Sequence, residues 1–184
     1  MPKLQQFNDK QLRALAHAVE IAEDVTSDYY KISFNEWKRH RYDIKTLAHL
    51  EKDEVTHEAF AQITRYTWNP SQKFRGGQQF DYYKICLQDH MILDALARES
   101  ELKLLPLAAY IVTHELIHVV RFSKFLQSFQ ASPTEQMKEE VLVHATTSEM
   151  LSKVRLPNLN YVLNSYHASC QMEKFAELSL EQGY

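Results

Sequence analysis

Two stretches of the chain place a histidine three residues after a glutamate, at Glu54 and His57 and again at Glu115 and His118. Residues three apart project from the same face of a helix, so each pair could present a carboxylate oxygen and an imidazole nitrogen to one metal ion. With nine histidines in the chain, one such pair is expected by chance. Both pairs, however, fall midway along apolar stretches with helical periodicity, and this position makes them candidate metal ligands.

The apolar surroundings of these pairs make unpaired charges there energetically costly. An unpaired ionised group on the buried side of a helix costs several kcal/mol or more, and a bound cation removes that penalty. Glu140 and His144 repeat the pattern one turn apart on a later helix. The alternative is a structural core in which the polar side chains hydrogen-bond one another.

Helices are the elements predicted to position these side chains. The chain has only three glycines, whereas sheets with tight hairpins normally use more. Apolar residues recur at three- and four-residue intervals from Asn8 onward. The sequence therefore predicts an all-α up-down helical bundle in a single domain, 1–184. The predicted four-helix core covers about 8–128, with helices at 8–30, 43–67, 79–98 and from Pro106. One or two additional C-terminal helices are predicted over about 133–181. The last of them follows Pro157 and is expected to pack through Tyr161, Val162, Phe175 and Leu178.

Charge and composition exclude several classes of partner. The formal net charge is -3 without a basic block, which argues against nucleic acid. The first nine residues lack a signal pattern, and the longest apolar stretch, Leu104 to Val112, is about half a membrane span. Cys86 and Cys170 are far apart in the sequence and lack a CxxC partner, which favours free thiols. We therefore expect a cytoplasmic protein without a membrane span.

A family resemblance follows from the first half of the chain. The stretch Ala18 to Tyr30, followed by Leu47-Ala48 and by Glu51-Lys52-Asp53-Glu54-Val55-Thr56-His57, resembles rubrerythrin and other ferritin-like proteins. In that superfamily a glutamate precedes an ExxH motif by about thirty residues. The resemblance implies a four-helix bundle with a di-iron carboxylate site, in which each half gives a glutamate and then an ExxH. It implies two iron ions and an oxidoreductase that activates oxygen or peroxide, with a small oxidant or small-molecule substrate as partner.

The resemblance transfers to this chain residue by residue. Its first glutamate is Glu23 or Glu20, and the third helix offers Asp89 or His90 where the family has a glutamate. His114, Glu140 and His144 are additional to the metal ligands that this superfamily uses. The candidate metal ligands are Glu23, Glu54, His57, His114, Glu115, His118, Glu140 and His144.

The same residues support a second hypothesis. His114-Glu115-Leu116-Ile117-His118 is a full HExxH and resembles the active-site helix of zinc metalloproteases. That resemblance implies one zinc ion, Glu115 as general base for a zinc-bound water, and Glu140 as the third ligand of the thermolysin-like group. Zincins place this helix beneath a β-sheet whose edge strand holds the peptide, and the sequence offers no convincing strand before residue 106.

The di-iron bundle is therefore the first prediction, because it uses most of the polar positions. A zinc metallopeptidase is the alternative, and a non-catalytic structural helical protein is the second alternative. The segment from Leu156 is a candidate dimerising helix, which makes a homodimer compatible with the sequence.

Overall fold

A computed structural model describes residues 4–38, 40–68 and 80–167. Within these residues the chain forms helices, strands and two single 3₁₀ turns, at Leu47–His49 and Lys52–Glu54. The helices are α1 (Asp9–Tyr30), α2 (Phe34–Trp37), α3 (Asp89–Arg98), α4 (Leu104–Ser123), α5 (Pro133–Leu151) and α6 (Leu159–His167), and the strands are β1 (Tyr42–Lys45), β2 (Ala61–Trp68) and β3 (Phe80–Leu87).

The prediction of an all-α bundle is wrong. The described residues contain a three-stranded mixed sheet with the order β1-β3-β2, in which β1 runs parallel and β2 antiparallel to β3. The segments predicted as the second helix and as the start of the third are these strands. Both β2 and β3 are rich in β-branched and aromatic residues, which fit a pleated and half-buried surface. A convincing strand therefore does precede residue 106.

The two faces of the sheet have different neighbours. Tyr83, Ile85 and Leu87 alternate along β3 and are buried in the core. The Tyr83 ring stacks on Phe122 of α4, with centroids 5.8 Å apart. Because successive side chains of a strand point to opposite faces, Lys84 and its neighbours lie on the face away from α4.

Helix α4 is the central element of the fold. Fifteen of its residues are buried, and α1 packs along it through small residues such as Ala18 and Ala22. Of the described helices, it alone is long and apolar enough to cross a membrane, but most of it is buried inside the protein. Packing within the core therefore accounts for its apolar composition.

Helix α5 begins with a capping box in which the Ser132 side chain accepts a hydrogen bond from the Glu135 backbone and Pro133 occupies the first turn. One side of α5 is buried, and α5 packs against α4 and α6. The predicted last helix corresponds to α6 as far as His167, while Cys170, Phe175 and Leu178 lie outside the described residues. The buried positions of α5 are Glu140, Val143, His144, Thr146, Thr147, Met150 and Leu151.

Candidate metal centre

Helix α4 carries His114 and His118 one turn apart, so their imidazole rings project from the same face. This face meets the buried side of α5, which carries Glu140. The Glu140 carboxylate lies 3.2 Å from His114 Nε2 and 3.0 Å from His118 Nε2, and the two Nε2 atoms are 3.2 Å apart. All three side chains are buried. Two helices thus bring two imidazole nitrogens and one carboxylate to a single point inside the protein.

The spacing of these three groups fits one tetrahedral ion. Zinc binds imidazole nitrogen and carboxylate oxygen at about 2.0–2.2 Å, so two ligands at the tetrahedral angle lie about 3.3 Å apart. The observed separations of 3.0, 3.2 and 3.2 Å are close to that value. Within the described part of the chain, no other group of three histidine, cysteine or acidic side chains is arranged to share an ion. Three protein ligands leave a fourth position open to water or substrate.

The ionisation of these three side chains also suits a bound cation. Burial lowers the pKa of His118, but the hydrogen bond and negative charge of Glu140 outweigh it and raise the pKa to about 9. Burial raises the pKa of Glu140, but His114 and His118 outweigh it and lower the pKa to about 2. Burial lowers the pKa of His114 to about 4. The Glu140 carboxylate thus faces a protonated His118, and a metal ion would take the place of the proton between them.

Gln127 orients the ring of His118, one of the three candidate ligands. Its side-chain oxygen lies 2.9 Å from Nδ1 of His118, in the connection between α4 and α5. An amide oxygen accepts, so Nδ1 carries a proton, and Nε2, which faces Glu140, is the nitrogen that could bind a metal ion once its own proton is lost. Outer partners of this kind fix the tautomer and orientation of a metal-binding histidine.

Replacing Gln127 with alanine is therefore expected to weaken zinc binding by about 10- to 100-fold, because the ring loses the partner that fixes its tautomer. Competition with a chromogenic chelator measures the zinc affinity. Gln130→Ala is the matched control, since Gln130 is exposed in the same connection. Equal zinc affinities for the two variants would contradict the orienting role of Gln127.

Glu115 is the acidic residue next to the ligands. It follows His114 on α4 and is buried, with 5% of its surface exposed. Its negative charge contributes to raising the pKa of His118, which lies three residues further along α4. A buried carboxylate beside an open metal position has the chemistry of a general base for a water molecule.

His144 lies beside the ligands and is held by a tyrosine. Its ring centroid is 4.4 Å from that of His114, and its Nδ1 atom is 2.6 Å from the Tyr110 hydroxyl. Tyr110 is fully buried, one turn before His114 on α4. The hydrogen bond fixes the His144 ring against a ligand without making His144 a member of the three-ligand group.

Glu54 is buried as predicted, but its partners are not metal ligands. Its carboxylate accepts hydrogen bonds from Lys84 Nζ and the Tyr66 hydroxyl, both at 2.6 Å, and from the Glu51 backbone at 2.8 Å. Burial raises its pKa, but these partners outweigh it and lower the pKa. Lys84 points to the face of the sheet opposite Tyr83, so Glu54 lies across the sheet from α4. Glu54 therefore anchors the segment before β2 to the sheet.

Substituting Glu54 with glutamine is expected to lower the free energy of unfolding by about 2–3 kcal/mol, because it leaves the Lys84 ammonium without its counter-ion. Zinc content should not change, since the residue is remote from α4. Urea denaturation measures the loss, with Glu58→Gln as an exposed control expected to stay within about 0.5 kcal/mol. Loss of metal from Glu54→Gln would instead support the predicted di-iron site, in which Glu54 is a ligand.

The other predicted ligands of the di-iron site are also dispersed. Glu23 accepts a hydrogen bond from the Tyr42 hydroxyl, and Glu20 is exposed. His57 is exposed, and its Nδ1 is 3.1 Å from His90 Nε2. The structure thus brings together His114, His118 and Glu140, with Glu115 and His144 beside them, and does not bring Glu23, Glu54 or His57 to that centre.

Asp89 has a structural role at the start of α3. Its two carboxylate oxygens accept hydrogen bonds from the backbone N–H groups of Phe7 and Leu47, both at 2.9 Å. These contacts satisfy a buried carboxylate without an ion. The structure therefore brings neither Asp89 nor His90 to the metal centre. Asp89 joins two chain segments, and His90 contacts His57.

Sequence analysis missed Gln127 and Tyr110. Each acts through a hydrogen bond with a histidine, nine residues away in the sequence for Gln127 and 34 residues away for Tyr110. Neither an amide nor a phenol side chain forms a recognisable motif with that histidine. The position of Tyr110, four residues before His114, was an available signal, because it lies on the same face of α4 as the ligands.

Comparison with known proteins gives no relative. No known protein family, curated protein or solved structure matches this chain.

Proposed function

We propose that the protein is a zinc-dependent hydrolase that cleaves peptide bonds, with His114, His118 and Glu140 as metal ligands and Glu115 as general base. The observation that carries the proposal is the convergence of the two histidines of an HExxH motif and a glutamate from another helix at 3.0–3.2 Å. A zinc ion held there would supply Lewis acidity and lower the pKa of a bound water.

Glu115 favours hydrolysis over oxygen chemistry. Two histidines and one carboxylate also suit iron(II), so the donor set alone does not select the metal. A further buried carboxylate next to the ligands adds a base that can take a proton from water and return it to a leaving amine. A di-iron centre would require a second set of ligands, and the described residues hold only one group of three.

Strand β2 supports a peptide as substrate. It is an edge strand of the sheet among the described residues. Two rows of ring contacts connect β2 with α4. Next to the start of β2, Phe60 contacts Tyr166, and Tyr166 contacts Tyr110 of α4. Further along β2, Arg65 contacts Phe129, and Phe129 contacts Phe122 of α4. β2 therefore runs alongside the part of α4 that carries the ligands. An extended peptide could pair with such an edge through its backbone.

Peptide digestion tests this proposal. The full chain is stripped with a chelator, reloaded with zinc and incubated with a mixture of synthetic decapeptides, and the products are identified by mass spectrometry. We expect zinc-loaded protein to cleave a subset of the peptides and metal-free protein to cleave none. Stoichiometric zinc binding without cleavage of any peptide would contradict the hydrolase and leave a metal-binding protein.

A further inference from the structure

Arg65 lies at the edge of the sheet on the face that meets α4. It pairs across the sheet with Tyr83, whose ring stacks on Phe122. Because paired residues share a face, the Arg65 side chain projects toward the end of α4. It is partly buried there rather than extended into solvent.

A row of aromatic contacts connects Arg65 with the metal centre. Its guanidinium carbon is 4.5 Å from the Phe129 ring centroid, Phe129 is 4.9 Å from Phe122, and Phe122 is 6.0 Å from His118. These three steps place the guanidinium within about 15 Å of the His118 ring. An extended peptide rises about 3.3 Å per residue, so the two sites are separated by at most four or five residues of a bound strand.

The Arg65 guanidinium has no ion-pair partner among the described residues. No carboxylate there lies within 4.0 Å of it, whereas Arg98 pairs with Asp94 and Arg121 with Glu139. The acidic residue diagonally across the sheet, Asp81, accepts a hydrogen bond from Thr67 instead. The cation–π contact with Phe129 holds the guanidinium at this position. The planar fork of donors on an arginine matches a carboxylate in two parallel hydrogen bonds.

We propose that Arg65 binds a carboxylate of the substrate, so that the protein selects acidic peptides, or peptides whose terminal carboxylate reaches this position. This inference rests on the proposed peptidase function for the site but not on cleavage itself, because binding can be measured separately. The peptide lies along β2, with its reacting bond at the metal centre and its carboxylate on Arg65. Arg65 then acts as a specificity residue.

The test compares matched fluorescein-labelled decapeptides. One series carries a single Asp at successive positions and the other carries Asn, and each is made with a free and an amidated C-terminus. Binding to the zinc-loaded full chain with the Glu115→Gln substitution is measured by fluorescence anisotropy. We expect one Asp position, or the free C-terminus, to raise affinity by about 10- to 100-fold over its neutral analogue.

Variants of Arg65 assign the effect. Arg65→Leu should reduce the acidic-to-neutral affinity ratio to about one, Arg65→Lys should retain part of it, and the exposed Arg98→Leu should retain all of it. A ratio that is unchanged in Arg65→Leu would overturn the proposal, as would equal binding of both series or no binding of either. Binding of acidic peptides through Arg65 without any cleavage would contradict the proposed hydrolase function and would still support carboxylate binding by Arg65.

Discussion

Replacing Glu115 by glutamine is expected to lower the rate of peptide hydrolysis by about 10²- to 10⁴-fold, the range that a positioned general base contributes. Glutamine has the shape of glutamate but cannot accept a proton from water. Zinc content should stay at that of the wild type, because Glu115 is not one of the three converging ligands. Initial rates on a cleaved decapeptide, together with metal analysis of the same preparations, measure both quantities.

A matched control keeps this result specific. Glu149→Gln changes an exposed acidic residue of α5, whose contact is a long hydrogen bond with Tyr29. It should leave the rate within about twofold of the wild type, as expected for a surface substitution. Full activity of Glu115→Gln would exclude Glu115 as the base.

The largest expected effect on the metal comes from Glu140. Glu140→Gln should reduce bound zinc from about one ion per chain to near none after dialysis against a chelator, since the site loses its charged ligand. Inductively coupled plasma mass spectrometry measures the ratio of zinc to protein. His114→Ala is a second variant that removes a different ligand from the other helix and should have the same effect.

The control for this loss is the adjacent residue on α5. Glu139→Gln removes a carboxylate that pairs with Arg121 rather than with the histidines, so its zinc content should equal that of the wild type. His57→Ala extends the comparison to a residue of the predicted di-iron site. Equal zinc content in Glu140→Gln and Glu139→Gln would refute the assignment of the ligands.

The HExxH motif was the part of the site that the sequence could predict. The spacing of His114 and His118 depends only on the helix that contains them, and α4 forms where the apolar pattern predicts it. Glu140 was identified by its distance along the sequence from this motif. Its approach to the two imidazoles depends on how α5 packs against α4, and no periodicity along one helix determines that packing.

The sheet could not be predicted from the glycine count. A three-stranded sheet with one antiparallel pair needs few tight turns, and Gly76 and Gly77 lie between β2 and β3 in the sequence. The stronger signal is the alternation of Ala61 and Ile63 with Gln62 and Thr64, together with the β-branched and aromatic character of β2. A period-two pattern of only eight residues is difficult to distinguish from one face of a helix, and the predicted helix over 43–67 therefore includes most of β2.

Glu54 is buried as the sequence predicts, but its partner is the Lys84 ammonium and not a metal ion. A buried carboxylate does require compensation, and Glu54 is 1% exposed. The compensating charge is the Lys84 ammonium, which comes from a strand that the predicted bundle did not contain. Because the predicted bundle lacks this strand, the prediction assigned the compensating charge to a metal ion.

The central claim is that His114, His118 and Glu140 hold one metal ion, and X-ray absorption at the zinc edge tests it most directly. We expect one zinc per chain, with two imidazole nitrogens and one carboxylate oxygen at about 2.0–2.2 Å and a fourth light ligand. The Glu140→Gln variant should lose this signal. Absence of bound metal from protein purified without chelators and supplied with zinc, or a pair of irons with a metal-to-metal scattering path, would contradict the account.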